Sequence, residues 1–195
     1  MCVRDIPGVV GLQRECFPAP FPEQFLWTPE HLDSHLSRFA EGQIIAVDSD
    51  GAICGSASNC LISEETWAAH RSWAATVGGF HFENHDPCGK VLYGADISVH
   101  PDFRRMGVGR KLYEARFDLA QQLGVRYATV CRLPNYCDHS HLTAKDYAEH
   151  VATGKLEDRT LTPLLKMGLA YQGIIEDYME DEESGNAGAI LEREK

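Results

Sequence analysis

The chain has 195 residues, of which 44% are hydrophobic and 24% charged, and its formal net charge is −11. Those values suit one globular domain with a full core, residues 1–195, and no run approaches the ~18 apolar residues that a membrane helix needs. The acidic balance argues against a nucleic-acid surface and favours cationic or amine-bearing partners.

Seven cysteines stand at positions 2, 16, 54, 60, 88, 131 and 137, with no C-x-x-C pair. That scatter argues against a disulfide framework or a structural zinc site and points to a reducing cytoplasm. The start, Met1-Cys2-Val3-Arg4-Asp5, has no apolar signal-peptide region.

Ile6–Cys16 carries a short helical pattern, which the proline-rich stretch 17–22 interrupts. Thr28-Pro29 opens a second helix, with Thr as cap and Pro in the first turn; Leu32, Leu36 and Phe39 form its stripe. Phe21, Phe25 and Trp27 either line a pocket or fill the core. Gln43–Asp48 and Ala52–Leu61 read as strands joined by a hairpin turn at Ser49-Asp50-Gly51. Ser63–Ala75 fits a helix or a loop, and Gly78–Pro87 a loop. His81, His85 and Asp86 in that loop are poorly spaced for a metal.

Val91–Val99 alternates strictly. Val91, Tyr93, Ala95, Ile97 and Val99 are expected on one face, and Gly94, Asp96 and Ser98 on the other. His100-Pro101-Asp102 stops the strand, and from Val108 the period becomes helical, with Val108, Leu112, Ala115, Leu119 and Leu123 as one stripe ending at Gly124. Between strand and helix lie Arg104, Arg105, Met106, Gly107, Val108 and Gly109, followed by Arg110 and Lys111. Two glycines at a helix start let backbone N–H groups crowd an anion, and four cationic side chains add to the field. A phosphate-bearing ligand is the expected occupant. A dinucleotide fingerprint is excluded because Leu112 stands at its third glycine, and no Gly-Lys-Ser/Thr follows for a P-loop.

Tyr127–Leu133 is a strand expected to run parallel to Val91–Val99 through a right-handed crossover. Leu142–Gly154 and Leu161–Met167 are helical, and Ala170–Tyr178 and Gly188–Leu191 are strands around the acidic turn Glu180–Ser184.

Arg104, Gly107 and Gly109 resemble the Arg/Gln-x-x-Gly-x-Gly/Ala motif of the GNAT superfamily of N-acetyltransferases. The resemblance implies an α/β fold, with a mixed sheet of about six strands, helices on both faces and a splay between strands four and five. It also implies acetyl-coenzyme A as cosubstrate and direct transfer to a primary amine of a small-molecule or peptide acceptor, in a ternary complex. The loop Arg104–Lys111 would hold the pyrophosphate, the backbone of Ile97, Ser98 and Val99 the pantetheine arm and thioester, and Asn135 the pantetheine amides. No nucleic acid or membrane partner is expected, and homodimerisation is left open.

Further segments, Arg132–Tyr136, Asp146-Tyr147, Lys166-Met167-Gly168 and Asp177–Ser184, are similar to the acetyltransferase module often fused to a nitrilase-like carbon–nitrogen hydrolase. Two departures stand out. The family's first strand has almost no chain before Asp5, and Leu164 occupies the position where many relatives place a tyrosine acid. Asp96 is the expected base, directly or through water, and Tyr136 the expected acid, with Tyr147 its competitor. A second class of function stays open: a non-catalytic acyl-coenzyme A-binding or regulatory module docking on a separate amidohydrolase.

Overall fold

The structure, a computed structural model, describes residues 1–18 and 23–193. Phe21 therefore lies outside the described residues. Two helices open the fold, α1 (Ile6–Cys16) and α2 (Pro29–Phe39). The Thr28 hydroxyl caps α2 by accepting from His31 N–H, with Pro29 in the first turn.

A six-stranded sheet follows, with spatial order β1-β2-β3-β4-β6-β5. Its strands are β1 (Gln43–Val47), β2 (Ile53–Ile62), β3 (Val91–Val99), β4 (Arg126–Arg132), β5 (Leu169–Ile175) and β6 (Gly188–Arg193). Only β3 and β4 are parallel. The β1–β2 turn is built as expected: Asp48 Oδ1 accepts from Asp50 and Ala52 N–H at 2.9 Å, and Gly51 supplies the positive φ of +83°. Among the described residues no strand precedes β1.

Ser63–Ala75 forms two short helices, α3 (Glu64–Ala68) and α4 (Trp73–Val77). Each is capped by a serine hydroxyl, Ser63 accepting from Thr66 N–H and Ser72 from Ala75 N–H. The crossover helix is α5 (Val108–Leu123), and α6 (Ala144–Ala152) and α7 (Leu161–Lys166) precede β5.

The sheet separates two apolar clusters. On one face Leu92, Tyr113, Phe117, Tyr127, Tyr147 and Leu161 join α5, α6 and α7 to the strands. On the other, Ile6, Val9, Trp27, Trp67, Val91 and Tyr93 join α1 to α4. The buried face of α5 is Leu112, Tyr113, Arg116, Phe117 and Ala120, rotated by about one position from the expected stripe. Leu123 is exposed, and an arginine sits where an apolar residue would be expected.

Candidate active site

The expected alternation of β3 breaks in its middle. Asp96 pairs with Ser58 of β2 while Gly94 pairs with Asn59, so Ala95 is an extra residue and forms a bulge. A bulge shifts the two-residue period by one. Ala95 stays with Val91 and Tyr93 on the α1–α4 face, and Asp96 and Ser98 join it there. Ile97 and Val99 turn to the α5 face, where both line a cleft. The predicted grouping of Ala95 with Ile97 and Val99 is thus corrected, and Asp96 and Ser98 face away from the side that Gly94 occupies.

On the α1 side the Asp96 carboxylate accepts from Trp27 Nε1 at 3.3 Å and Gln13 Nε2 at 3.2 Å. The same Gln13 amide donates to Ser98 Oγ at 2.9 Å. Trp73 Nε1 donates to the Ala95 carbonyl at 3.0 Å. Burial pushes the Asp96 pKa above its ordinary value, outweighing the Trp27 N–H and the nearby Arg116 charge, which pull it down. Cys16 lies close by at the end of α1, and burial raises its pKa against the pull of Arg104.

The same bulge coincides with the parting of β3 from β4. Their parallel ladder runs only from Val91–Arg126 to Gly94–Thr129, reinforced by Thr129 Oγ1 donating to the Gly94 carbonyl at 2.8 Å. Beyond it β4 continues with β6 alone. The expected splay is therefore present, at the parallel pair β3 and β4.

At the end of β3, Pro101–Phe103 forms a 3₁₀ turn and the chain rises into α5 through Arg104, Arg105, Met106 and Gly107. Gly107 has φ +85° and Arg105 φ +63°. Glycine adopts that region freely, whereas arginine does so at a cost. No side chain caps α5, and its first internal hydrogen bond is Lys111 N–H to the Gly107 carbonyl. The N–H groups of Val108, Gly109 and Arg110 are thus free of helix partners and point to the helix start. A Cβ on Gly109 would meet only Val99 Cγ2, at 3.8 Å, so the space beside that backbone is open. Arg104 Nε donates to the Val99 carbonyl at 3.2 Å, while Arg105, Met106, Arg110 and Lys111 are exposed.

A cleft of about 450 Å³ begins here. Ile97, Val99, Gly109, Arg110 and Tyr113 form one wall, and Thr160, Pro163, Leu164 and Met167 the other. Arg110, Arg159 and Lys166 give it cationic rims. Open helix N–H groups and a backbone with no Cβ in the way suit a phosphorylated ligand whose arm runs into the splay. The three rim cations each have a carboxylate neighbour, Arg110 with Glu114 at 3.8 Å, Arg159 with Glu183 at 2.7 Å and Lys166 with Glu157 at 3.7 Å.

Other expected site residues are committed elsewhere. The Asn135 Oδ1 atom accepts from Arg159 N–H at 2.9 Å, and its own N–H donates to Asp158 Oδ2 at 3.1 Å, so it fastens the α6–α7 loop. The Tyr136 hydroxyl donates to the Leu142 carbonyl at 3.0 Å, and Tyr147 donates to Asp158 Oδ2 at 3.0 Å. A hydroxyl proton held that way reaches a thiolate only after its bond breaks. Leu164 is buried in the cleft wall. His85 accepts from Leu61 N–H at 3.1 Å and His81 packs edge-on against His31, so both have structural contacts. Trp27 is a buried core residue that also touches Asp96, and Phe25 lies against Phe80. The residues that sequence reasoning missed are Gln13, Trp73 and Arg116. Nothing in local periodicity marks them, because their hydrogen-bond partners are 11 to 85 residues away.

A family profile described as "Acetyltransferase (GNAT) family" matches residues 6–140. The chain belongs to this family. It is 35% identical over 190 residues to the "Uncharacterized N-acetyltransferase YkwB" of Bacillus subtilis (strain 168), covering 96% of this chain and 84% of that protein. To the "Probable hydrolase YhcX" of the same organism it is 36% identical, again over 96% of this chain but only 36% of the relative. Among solved structures, the "GphF GNAT-like decarboxylase in complex with isobutyryl-CoA" superposes with a TM-score of 0.80. At 24% identity over 99% of this chain and 96% of that one, it shows the shared fold. Family membership and the relative named as an N-acetyltransferase make this GNAT protein an enzyme of the N-acetyltransferase class.

Proposed function

We propose that the protein moves an acetyl group from acetyl-coenzyme A to a primary amine of a small-molecule or peptide acceptor, in one ternary complex, with Asp96 as the base. The observation that carries this reading is the placement of the bulge. It sets a carboxylate with a raised pKa on one side of β3, at the level where the other edge of the strand opens into a cleft leading to the α5 N-terminus.

The coenzyme supplies an acyl carbon activated as a thioester. Gly107–Arg110 holds its pyrophosphate through backbone N–H groups, and Arg104, Arg105, Arg110 and Lys111 balance the charge. The opened edge of β3 at Ile97–Val99 takes the pantetheine arm. The amine nitrogen bonds to the acyl carbon as the carbon–sulfur bond breaks. The amine proton passes to Asp96, directly or through water. A thiol of ordinary pKa, ~8.5, leaves without an enzymatic acid, so water suffices to protonate the sulfur. That accommodates Leu164 at the family's tyrosine position and the committed Tyr136 hydroxyl. Trp73 and Phe80, half-buried on the Asp96 side of the sheet, offer apolar faces to the acceptor.

A second reading, a coenzyme-binding module that docks on a hydrolase, is favoured by the relative named as a probable hydrolase, in which a segment like this chain is about a third of the length. Free thiol release from acetyl-coenzyme A, measured with a panel of primary amines, separates the two. The transferase reading expects amine-dependent release that falls ~100-fold in Asp96→Asn, the scale of one general base. Release that no amine raises above spontaneous hydrolysis favours the binding module, and full turnover in Asp96→Asn removes Asp96 as the base.

A further inference from the structure

Arg116 is one of the largest fully buried side chains, 1% exposed, on the inner face of α5. Among the described residues no carboxylate forms an ion pair with it. Burying a guanidinium with only neutral partners is costly, so its contacts are informative. Its Nη2 donates to the main-chain carbonyl of Asp96 and, at 3.3 Å, to that of Ser58. Those two residues are register partners across β2 and β3, beside the unpaired Ala95. Its Nη1 donates to the Tyr127 hydroxyl of β4 at 3.3 Å, and the guanidinium lies 5.0 Å from the Tyr113 ring. One side chain thus bridges β2, β3 and β4 where β3 and β4 part.

The backbone makes room for it. A Cβ on Gly94 would stand 2.2 Å from the Tyr127 hydroxyl and 3.2 Å from Arg116 Nη1. On the opposite face Trp73 holds the Ala95 carbonyl and Trp27 the Asp96 carboxylate. The bulge is therefore clamped from both sides.

We propose that Arg116 is a positioning residue for Asp96: from the far face of the sheet it holds the bulge that aims the carboxylate and places a positive charge behind it. The inference rests on the reading of Asp96 as the base. The other groups near Asp96 are neutral or more distant donors: Gln13 and Cys16 from α1, Trp27 before α2, Ser98 on β3, and Arg104 beyond the strand, next to Cys16. Burial raises both the Cys16 thiol and the Tyr127 phenol, so neither brings a negative charge at neutral pH. Arg116 is the cation whose charge opposes the desolvation of Asp96.

The test reads Asp96 directly and needs no acceptor. Carbon-13 NMR of aspartate carboxyls, with the Asp96 signal assigned by its loss in Asp96→Asn, gives its titration midpoint. Arg116→Gln keeps a donor for the carbonyls and removes the charge, so the midpoint is expected to rise by about one unit or more. Arg116→Lys keeps the charge and is expected to stay near wild type. Arg116→Met, similar in volume, serves in the same titration if the glutamine variant does not fold. A midpoint unmoved in the folded uncharged variant overturns the proposal, as does a shift equally large in Arg116→Lys, which would assign the effect to packing. Failure of the base reading itself shows separately, as full turnover of Asp96→Asn in the amine assay.

Discussion

At Asp96 desolvation and donor contacts act in opposite directions, and desolvation wins. The sign has two consequences. A base works only when ionised, so turnover should fall as pH drops through the folded value, which lies above the ordinary 3.8. The same shift means the folded chain holds its proton more tightly than the unfolded one, so this residue's contribution to stability declines as pH rises across that interval. Asp96→Asn removes the decline. Urea unfolding over a pH series should show the variant gaining on the wild type from below 3.8 upward; a gap constant with pH would contradict the raised value. The glycine at the start of α5 was legible in the sequence, because Gly107, at φ +85°, meets a backbone need that only glycine satisfies cheaply. Asp96 was legible as a polar group on the central strand. Its true face was not, since a one-residue bulge reverses every later side chain while leaving the alternating pattern intact.

Helix α2 carries the Asp96 side of the site through Trp27, which precedes its cap. His35 on this helix is fully buried, with Nε2 2.7 Å from the Phe80 carbonyl, its ring stacked on Phe82 at 3.7 Å and edge-on to Trp27 at 4.9 Å. Burial pushes its pKa from 6.5 down to about 4. The unfolded chain therefore binds a proton first, and stability should be lost as pH falls from 6.5 towards about 4. His35→Gln, which does not titrate, should lose less over that interval in urea midpoints. An identical loss in both would show that His35 carries none of it. Element existence was readable from caps and periodicity, as α1 and β3 illustrate. The two-helix nature of Ser63–Ala75 was present in its paired serine caps yet obscured by the run of alanines and tryptophans. The inner face of α5 was misread by one position, because a hydrophobic stripe cannot anticipate a buried arginine.

For the whole molecule, strand order is what the sequence withheld. β6 enters between β4 and β5, and long-range contacts fix it there: Trp67 Nε1 donates to Glu192 Oε1 at 2.5 Å, and Arg126 pairs with Glu192 at 3.0 Å. The Tyr93 and Tyr178 hydroxyls meet at 2.6 Å. At the end of β4, Arg132 grips Asp181 at 2.5 Å and Glu183 at 3.1 Å. Such pairs join positions 49 to 125 residues apart, beyond any local pattern. The glycine loop was readable because it is built from consecutive residues, while the surroundings of Asp96 are assembled from α1, the approach to α2, α4 and β3.

We propose that the cleft at the α5 N-terminus receives acyl-coenzyme A against the bare backbone of Gly109. Calorimetric titration of acetyl-coenzyme A into wild type and Gly109→Val tests it most directly. The open space beside Gly109 lets the valine fold without clash, so its branched side chain should stand in the coenzyme's path. Binding to the wild type is expected, with a loss of at least ~100-fold in the variant, about 2.7 kcal/mol. Equal affinity in a folded Gly109→Val protein would contradict it.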